Sequence, residues 1–157
     1  MDTAFATRAR EALERMLVRE MPVAQSLGFD IAELTTEAVT LRAVFDLNRN
    51  HQGSAFAGSV HALAALAGWA TVWLTLQEAG IRANAVLQDS RIQYLQPVMS
   101  DFTATCSFPP PGARMTLLDA VQRHRKGRLG VQVAVHEGAV LVAEFSGRYA
   151  ALRSGEP

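Results

Sequence analysis

The chain has 157 residues, a formal net charge of +0, and 49% hydrophobic against 19% charged residues. That length suits one domain with one core (residues 1–157), and the neutral balance argues against a general nucleic-acid binder. A single cysteine excludes an internal disulfide and supplies no metal-ligand cluster, so no metal is expected.

Residues 3–20 place Phe5, Ala9, Leu13, Met16 and Leu17 at helical spacing, with Arg8, Arg10, Glu14, Arg15 and Arg19 on the other positions. This predicts an N-terminal amphipathic helix within residues 1–20. The same stretch alternates acids and arginines without an apolar signal core, so no export signal and a cytoplasmic location are expected. Residues 21–28 read as a connector closed by Gly28. Residues 29–34 form a first strand. Val39, Leu41, Ala43 and Phe45 alternate with Thr40, Arg42 and Asp46, which predicts a second strand over 38–46 with one face buried.

A long helix is expected from about residue 55 to 79, with Gly80 at its C-terminal cap. Between Arg49 and Glu78 the sequence holds no Asp, Glu, Lys or Arg. The run has transmembrane length, but it carries His61, Ser59, Thr71, Thr75, two glycines and many alanines. A helix wrapped by a sheet accounts for it better, and no membrane partner is expected. Ala62, Ala64, Ala65, Ala67, Gly68 and Ala70 make a thin waist for close packing of strands, and Trp69 and Trp73 share a face. Further strands are expected over 84–94, 102–108, 129–135 and 139–149, the last two joined as a hairpin at Glu137-Gly138. Thr116 with Asp119 resembles a capping box for a short helix ending near His124. Residues 153–157 read as a frayed tail.

The richest stretch is Asn-Arg-Asn-His-Gln-Gly-Ser-Ala-Phe-Ala-Gly-Ser at 48–59, a polar loop running into a Gly/Ala-rich helix start. A helix with Gly58 and Ser59 in its first turn directs unpaired N–H groups and partial positive charge at whatever lies in front of it. That arrangement polarises a carbonyl oxygen.

The order of elements and this loop resemble the hotdog fold of the thioesterase superfamily: an α+β architecture in which a curved antiparallel sheet wraps one long central helix. The segments 48–59, Leu-Ala-Gly-Trp at 66–69 and Gln-Asp-Ser-Arg-Ile-Gln-Tyr-Leu-Gln-Pro-Val at 88–98 are similar to the YiiD C-terminal family. That family's pattern reads N-x-N-x-x-G-T-x-F-G-G-S. Asn48, Asn50, Gly53, Phe56, Gly58 and Ser59 match it, Ser54 keeps the hydroxyl of the Thr, and Ala57 stands in place of the first Gly of the pair. The resemblance spans residues 21–150. It implies an enzyme acting on acyl thioesters, with thioesterase and malonyl-acyl-carrier-protein decarboxylase as the activities and the active site between subunits.

Such an enzyme stabilises negative charge on the thioester oxygen. The Gly58 amide with Asn48, Asn50 and Ser59 are the candidates, against a reading in which the asparagines only shape a turn. His51, Ser54, Phe56, Ala57, Ser90 and Tyr94 are candidate substrate contacts. Hydrolysis also needs a base or a nucleophilic carboxylate. Related hydrolases carry an acid on the central helix about seven residues after the Gly pair, a place occupied here by Ala65. Asp89, interrupting an apolar strand, is the reserve acid/base, or else a bulge charge paired with Arg91. Decarboxylation of a malonyl thioester needs no base, which favours it slightly. His61 reads as a satisfied core or interface histidine, and Cys106 as a core residue. Arg125, Lys126 and Arg128, with Arg123 and His124, form the basic cluster. It suits either a helix C-terminus or the phosphates of coenzyme A or of a carrier-protein-linked pantetheine. No cofactor is expected beyond the pantetheine thioester substrate itself. The low charge content suggests a homodimer or homotetramer. A non-catalytic acyl-thioester binding protein is the remaining alternative.

Overall fold

The computed structural model describes residues 3–153. Residues 154–157, four of the five read as a frayed tail, lie outside that range, as do the first two; Arg153, the other tail residue, ends a strand.

Helix α1 (Thr3–Arg19) buries Ala9, Leu13 and Leu17, one residue per turn, and leaves its charges outward. Arg10 Nη2 donates to the Ile31 carbonyl at 2.8 Å, fastening the helix to strand β1 (Phe29–Leu34). The connector between them is not wholly irregular. It holds one helical turn, α2 (Pro22–Ser26), because Pro22 at the first helical position is preset for helical φ. Strand β2 (Ala38–Ala43) ends three residues before the expected limit. There Phe45 N–H is captured by Asp101 Oδ1 at 2.8 Å, and Phe45–Leu47 form a 3-10 turn instead.

The central helix α3 (Ala57–Glu78) starts two residues late because Ala55 is held outside it: its N–H donates to the Val98 carbonyl at 2.8 Å. Its C-terminus is a Schellman motif. Gly80, at φ +67°, donates to Gln77 O, and Ile81 N–H reaches back to Leu76 O. Although α3 is long and apolar enough to cross a membrane, 67% of its apolar window is buried inside the protein.

The sheet is antiparallel throughout, in the order β1-β2-β4-β5-β6-β3, with β3 Ala83–Tyr94, β4 Phe102–Ser107, β5 Lys126–Glu137 and β6 Val140–Arg153. Helix α3 lies against its inner face through Val60, Leu63, Ala64, Ala67, Ala70 and Leu74. Gly68 permits the closest approach. A Cβ there would stand 2.6 Å from Tyr149 Oη, which itself donates to the Ala65 carbonyl. Helix α4 (Pro111–His124) begins five residues before the suggested capping box, again with proline in its first turn. Thr116 is mid-helix, its hydroxyl bonded to Gly112 O. Strands β5 and β6 extend past their expected ends, down to Lys126 and Arg153, and pair there through Arg125 O and Arg153 N–H.

Strand β3 runs alongside α3 and is tied to it at three points. Tyr94 Oη donates to Ala57 O at 2.9 Å, His61 Nε2 pairs with Ser90 Oγ at 3.0 Å, and Trp69 Nε1 donates to Ala85 O at 3.0 Å.

Candidate active site

The polar loop before α3 is a tight, self-bonded turn built on Asn50. Asn50 Oδ1 accepts the N–H groups of Gln52 and Ser54, and Nδ2 donates to Ser54 Oγ (3.0 Å) and Ala55 O (3.3 Å). Backbone bonds from Asn50 N–H to Ser54 O and from Gly53 N–H to Asn50 O close the same turn, with Gly53 at φ +83°. Asn48 fastens the loop's other end. Only 2% exposed, it donates both Nδ2 hydrogens at 2.7 Å, to Leu27 O and Val44 O. Its backbone carbonyl oxygen accepts Phe56 N–H at 2.7 Å. Both of its donors are thus spent on backbone, so this geometry makes Asn48 a fastener and leaves it no donor for a substrate oxygen.

These bonds present the start of α3. No side chain caps it, and the N–H groups of Ala57 and Gly58 have no acceptor within the helix. The Phe56 ring lies over Gly58, close enough that a Cβ there would meet ring carbon Cε1 at 2.3 Å. Ser59 is buried beneath, 3% exposed. A cleft of about 350 Å³ opens here, lined by Asn50, Ser54, Ala57, Val60, Tyr94 and Gln96, with Ala55, Leu95, Pro97 and Val98 completing it. Partial burial holds the Tyr94 phenol above its ordinary pKa. Of the residues expected at the site, Asn50, Ser54, Ala57 and Tyr94 converge on the cleft, with Phe56, Gly58 and Ser59 at the helix start beside them.

Others fall elsewhere. His51 is exposed on the turn. Ser90 sits farther along β3, bonded to His61, whose ring also meets Phe145 edge-on at 5.4 Å. Asp89 is at a bulge, as its alternative reading held, but its partner is Arg148 on β6 at 2.5 Å, not Arg91. Its carboxylate does not line the cleft. The pair is half-exposed, and such pairs contribute little. Asp89→Asn should therefore shift the melting temperature by less than about 3 °C, to be read by differential scanning fluorimetry.

Arg125, Lys126 and Arg128 are exposed at the opposite end of the sheet, where β5 begins. Arg125 is the one non-glycine residue with positive φ (58°) among the described residues, and Arg128 Nε donates to Gln88 Oε1 at 2.9 Å.

A second cavity, of about 300 Å³, lies beside α3, between it, the 21–28 connector and Phe29, Leu87 and Tyr149 of the sheet. Met21, Ala24, Leu27, Ala65, Leu66 and Trp69 are among its walls. The alanine stripe therefore divides: Ala64, Ala67, Gly68 and Ala70 pack on the sheet, while Ala62 and Ala65 floor this chamber. Sequence reasoning missed the chamber and Gln96. The apolar Met21 and Val23 in a connector were the available signal for the first.

Cys106 is buried on β4, where desolvation pushes its thiol up to about 11. A thiol whose proton is held more tightly in the folded state contributes stability below pH 9 that fades between pH 9 and about 11. Cys106 should resist iodoacetamide at pH 8 in the folded protein and react in urea, as read by intact mass.

The family model described as "Putative thioesterase (yiiD_Cterm)" matches residues 10–153. The chain belongs to the YiiD C-terminal family. Its fold is the hotdog fold. The putative thioesterase from Shewanella oneidensis superposes with a TM-score of 0.84 at 27% identity, over 93% of this chain and 99% of that one. A protein of unknown function from Chlorobaculum tepidum TLS gives a TM-score of 0.92 at 25% identity, over 95% and 97%. A thioesterase from Haemophilus influenzae shares the fold at a TM-score of 0.74 and 18% identity, over 94% and 92%.

Proposed function

We propose that this YiiD-family protein is a homo-oligomeric enzyme that activates the thioester carbonyl of a short acyl group, and that its reaction is decarboxylation of malonyl-carrier protein to the acetyl form. The observation that carries this reading is the lining of the cleft. It offers amide, hydroxyl and backbone N–H groups beside the α3 N-terminus, and none of its lining residues is a carboxylate or an imidazole. Decarboxylation needs no base in its bond-breaking step. The bond between the carboxylate carbon and the methylene carbon breaks, carbon dioxide leaves, and the electron pair passes through the methylene carbon to the thioester oxygen. The resulting enolate takes one proton on carbon from water. The Ala57 and Gly58 N–H groups oppose the charge that develops on the enolate oxygen. Tyr94, donating to Ala57 O, keeps that helix start aligned. Asn50 holds the turn in front of it.

The chamber favours a second reading, hydrolysis of acyl thioesters. Its walls are almost wholly apolar and suit a hydrocarbon chain laid along α3. Asp89 would then be the reserve base, though it stands outside the cleft.

Intact-mass analysis of malonyl-loaded carrier protein incubated with the enzyme separates the readings. Acetyl-carrier protein supports decarboxylation, and free carrier supports hydrolysis. An unchanged mass, with binding retained, supports a non-catalytic acyl-thioester binder. Under decarboxylation, Asp89→Asn keeps turnover within about threefold of the parent, because the residue contributes only an exposed ion pair.

A further inference from the structure

The polar cleft and the apolar chamber lie along one seam, between α3 and β3, and a single rung divides them. Ala57, His61, Ala65 and Trp69 follow one another at i, i+4 spacing and make one row along the helix. Ala57 lines the cleft, whereas Ala65 and Trp69 line the chamber. The facing strand keeps the same order. Tyr94 lines the cleft, Leu87 lines the chamber, and Ser90 stands between them. His61 Nε2 meets Ser90 Oγ at 3.0 Å and closes the seam where the cleft ends and the chamber begins.

A bulge is what puts Ser90 there. In a regular strand Leu87, Asp89 and Arg91 would share a face. The register shift between Leu87 and Asp89 instead sets Asp89 and Arg91 opposite Arg148 and Ser146, on the outer face. Ser90, Ile92 and Tyr94 fall opposite Gly147, Phe145 and Ala143, on the face that carries Tyr149 and looks toward the helix. Phe145 then backs the histidine. It is buried, and its ring meets the imidazole edge-on at 5.4 Å. Gly147 makes room for that ring, since a Cβ there would come within 2.7 Å of Phe145 Cε1. The imidazole is thus held by a hydrogen bond on one side and an aromatic ring on another.

Distance decides what the rung admits. His61 is four residues along α3 from Ala57, a rise of about 6 Å, and Ala65 is about 6 Å farther. An acetyl or malonyl group activated at the Ala57 and Gly58 N–H groups ends before the rung. An octanoyl chain runs into it.

We propose that the His61–Ser90 pair is the chain-length stop of the active site. Closed, it confines the acyl group to the cleft; removed, it opens the chamber to a hydrocarbon tail. This rests on the thioester reading above, and it names the residues that restrict that site to short acyl groups.

Octanoyl-coenzyme A and acetyl-coenzyme A, compared as competitive inhibitors of malonyl-carrier protein turnover, test it. In His61→Ala the octanoyl inhibition constant should fall relative to the acetyl one by about tenfold or more, the scale on which an apolar pocket distinguishes added methylenes. His61→Ala combined with Ala62→Phe refills the chamber behind the opened rung and should return the ratio to the parent's. Ser90→Ala, the milder change for the fold, removes only the hydrogen bond and should move the ratio the same way by about threefold. A ratio unmoved in both single variants, or a gain that survives Ala62→Phe, overturns the proposal.

The opening is also read without turnover. Trp69, in the chamber wall, stacks on Trp73 at 6.0 Å, and these are the chain's two tryptophans. Octanoyl-coenzyme A should change the emission of His61→Ala at concentrations that leave the parent's unchanged, and acetyl-coenzyme A should change neither. Equal responses from the two proteins overturn the stop. The expected response in a protein that turns over no thioester keeps the rung as the divider of the two cavities and retires the enzymatic reading alone.

Discussion

Replacement of Asn50 by alanine should lower kcat for the thioester substrate by about 100-fold or more while leaving the fold in place. The scale is that of disabling one preorganised oxyanion site. Asn50 does not reach that oxygen in the geometry seen here, because its Nδ2 hydrogens are directed at Ser54 Oγ and Ala55 O. It acts as a positioning residue: its four side-chain hydrogen bonds set the turn that delivers Phe56, Ala57 and Gly58 to the cleft. Alanine removes all four. With the turn half-exposed, the stability loss should be about 1–3 kcal/mol, or roughly 2–4 °C of melting temperature per kcal/mol. Asn50→Asp separates the roles. Aspartate still accepts from Gln52 and Ser54 N–H and keeps the turn, but it donates nothing and brings negative charge to the cleft. Two of the four bonds persist, so its melting temperature should fall by less than the alanine variant's, while its kcat should fall as far as that of the alanine variant. A fully active Asn50→Asp enzyme would mean that turn geometry alone suffices and that charge beside the helix start is harmless, contrary to the proposed enolate stabilisation.

The fold was legible because its signals are long-ranged and redundant. Strand β1 follows its expected limits, and the alternation over 102–108 and 129–135 reflects one buried face. Where boundaries moved, one local bond decided it. Asp101 caught Phe45 N–H and stopped β2, Val98 O held Ala55 outside α3, and Pro111 opened α4 where Thr116 had seemed to. Those partners are distant in sequence or depend on φ, and hydrophobic periodicity does not register them. The site was half legible. The loop motif led to Asn50, Ser54, Ala57 and Tyr94, which do share a cleft. Sequence alone does not separate an asparagine that donates to a ligand from one whose hydrogens are already committed, and Asn48 is of the second kind. Nor does it reveal that the basic cluster and the cleft occupy opposite ends of the sheet. That separation follows from the register of β5, β6 and β3.

Asn48→Asp should be the most destabilising single-atom-scale change in the loop, costing about 3–5 kcal/mol at pH 8. The substitution exchanges an NH₂ for an oxygen at a place where two carbonyls, Leu27 O and Val44 O, stand 2.7 Å from the nitrogen. Two buried acceptors would lose their donor, and a carboxylate would face them with water excluded. Asn48 Oδ1 already lacks a hydrogen-bond partner among the described residues, so the second oxygen gains nothing by rotation. The signature is a pH dependence that the parent lacks. Burial against two carbonyls raises the folded-state pKa of the new carboxyl above its unfolded value, so the folded state binds the extra proton. The variant therefore gains stability as pH falls from 8 toward 5, and its melting temperature should approach the parent's along that path. Asn48→Ala leaves both carbonyls unpaired but adds no charge, so it should be destabilised by a similar or smaller amount with no such trend. A constant gap between Asn48→Asp and the parent from pH 8 to 5 would show that the side chain at 48 is solvated, and that the loop is not fastened from beneath as described.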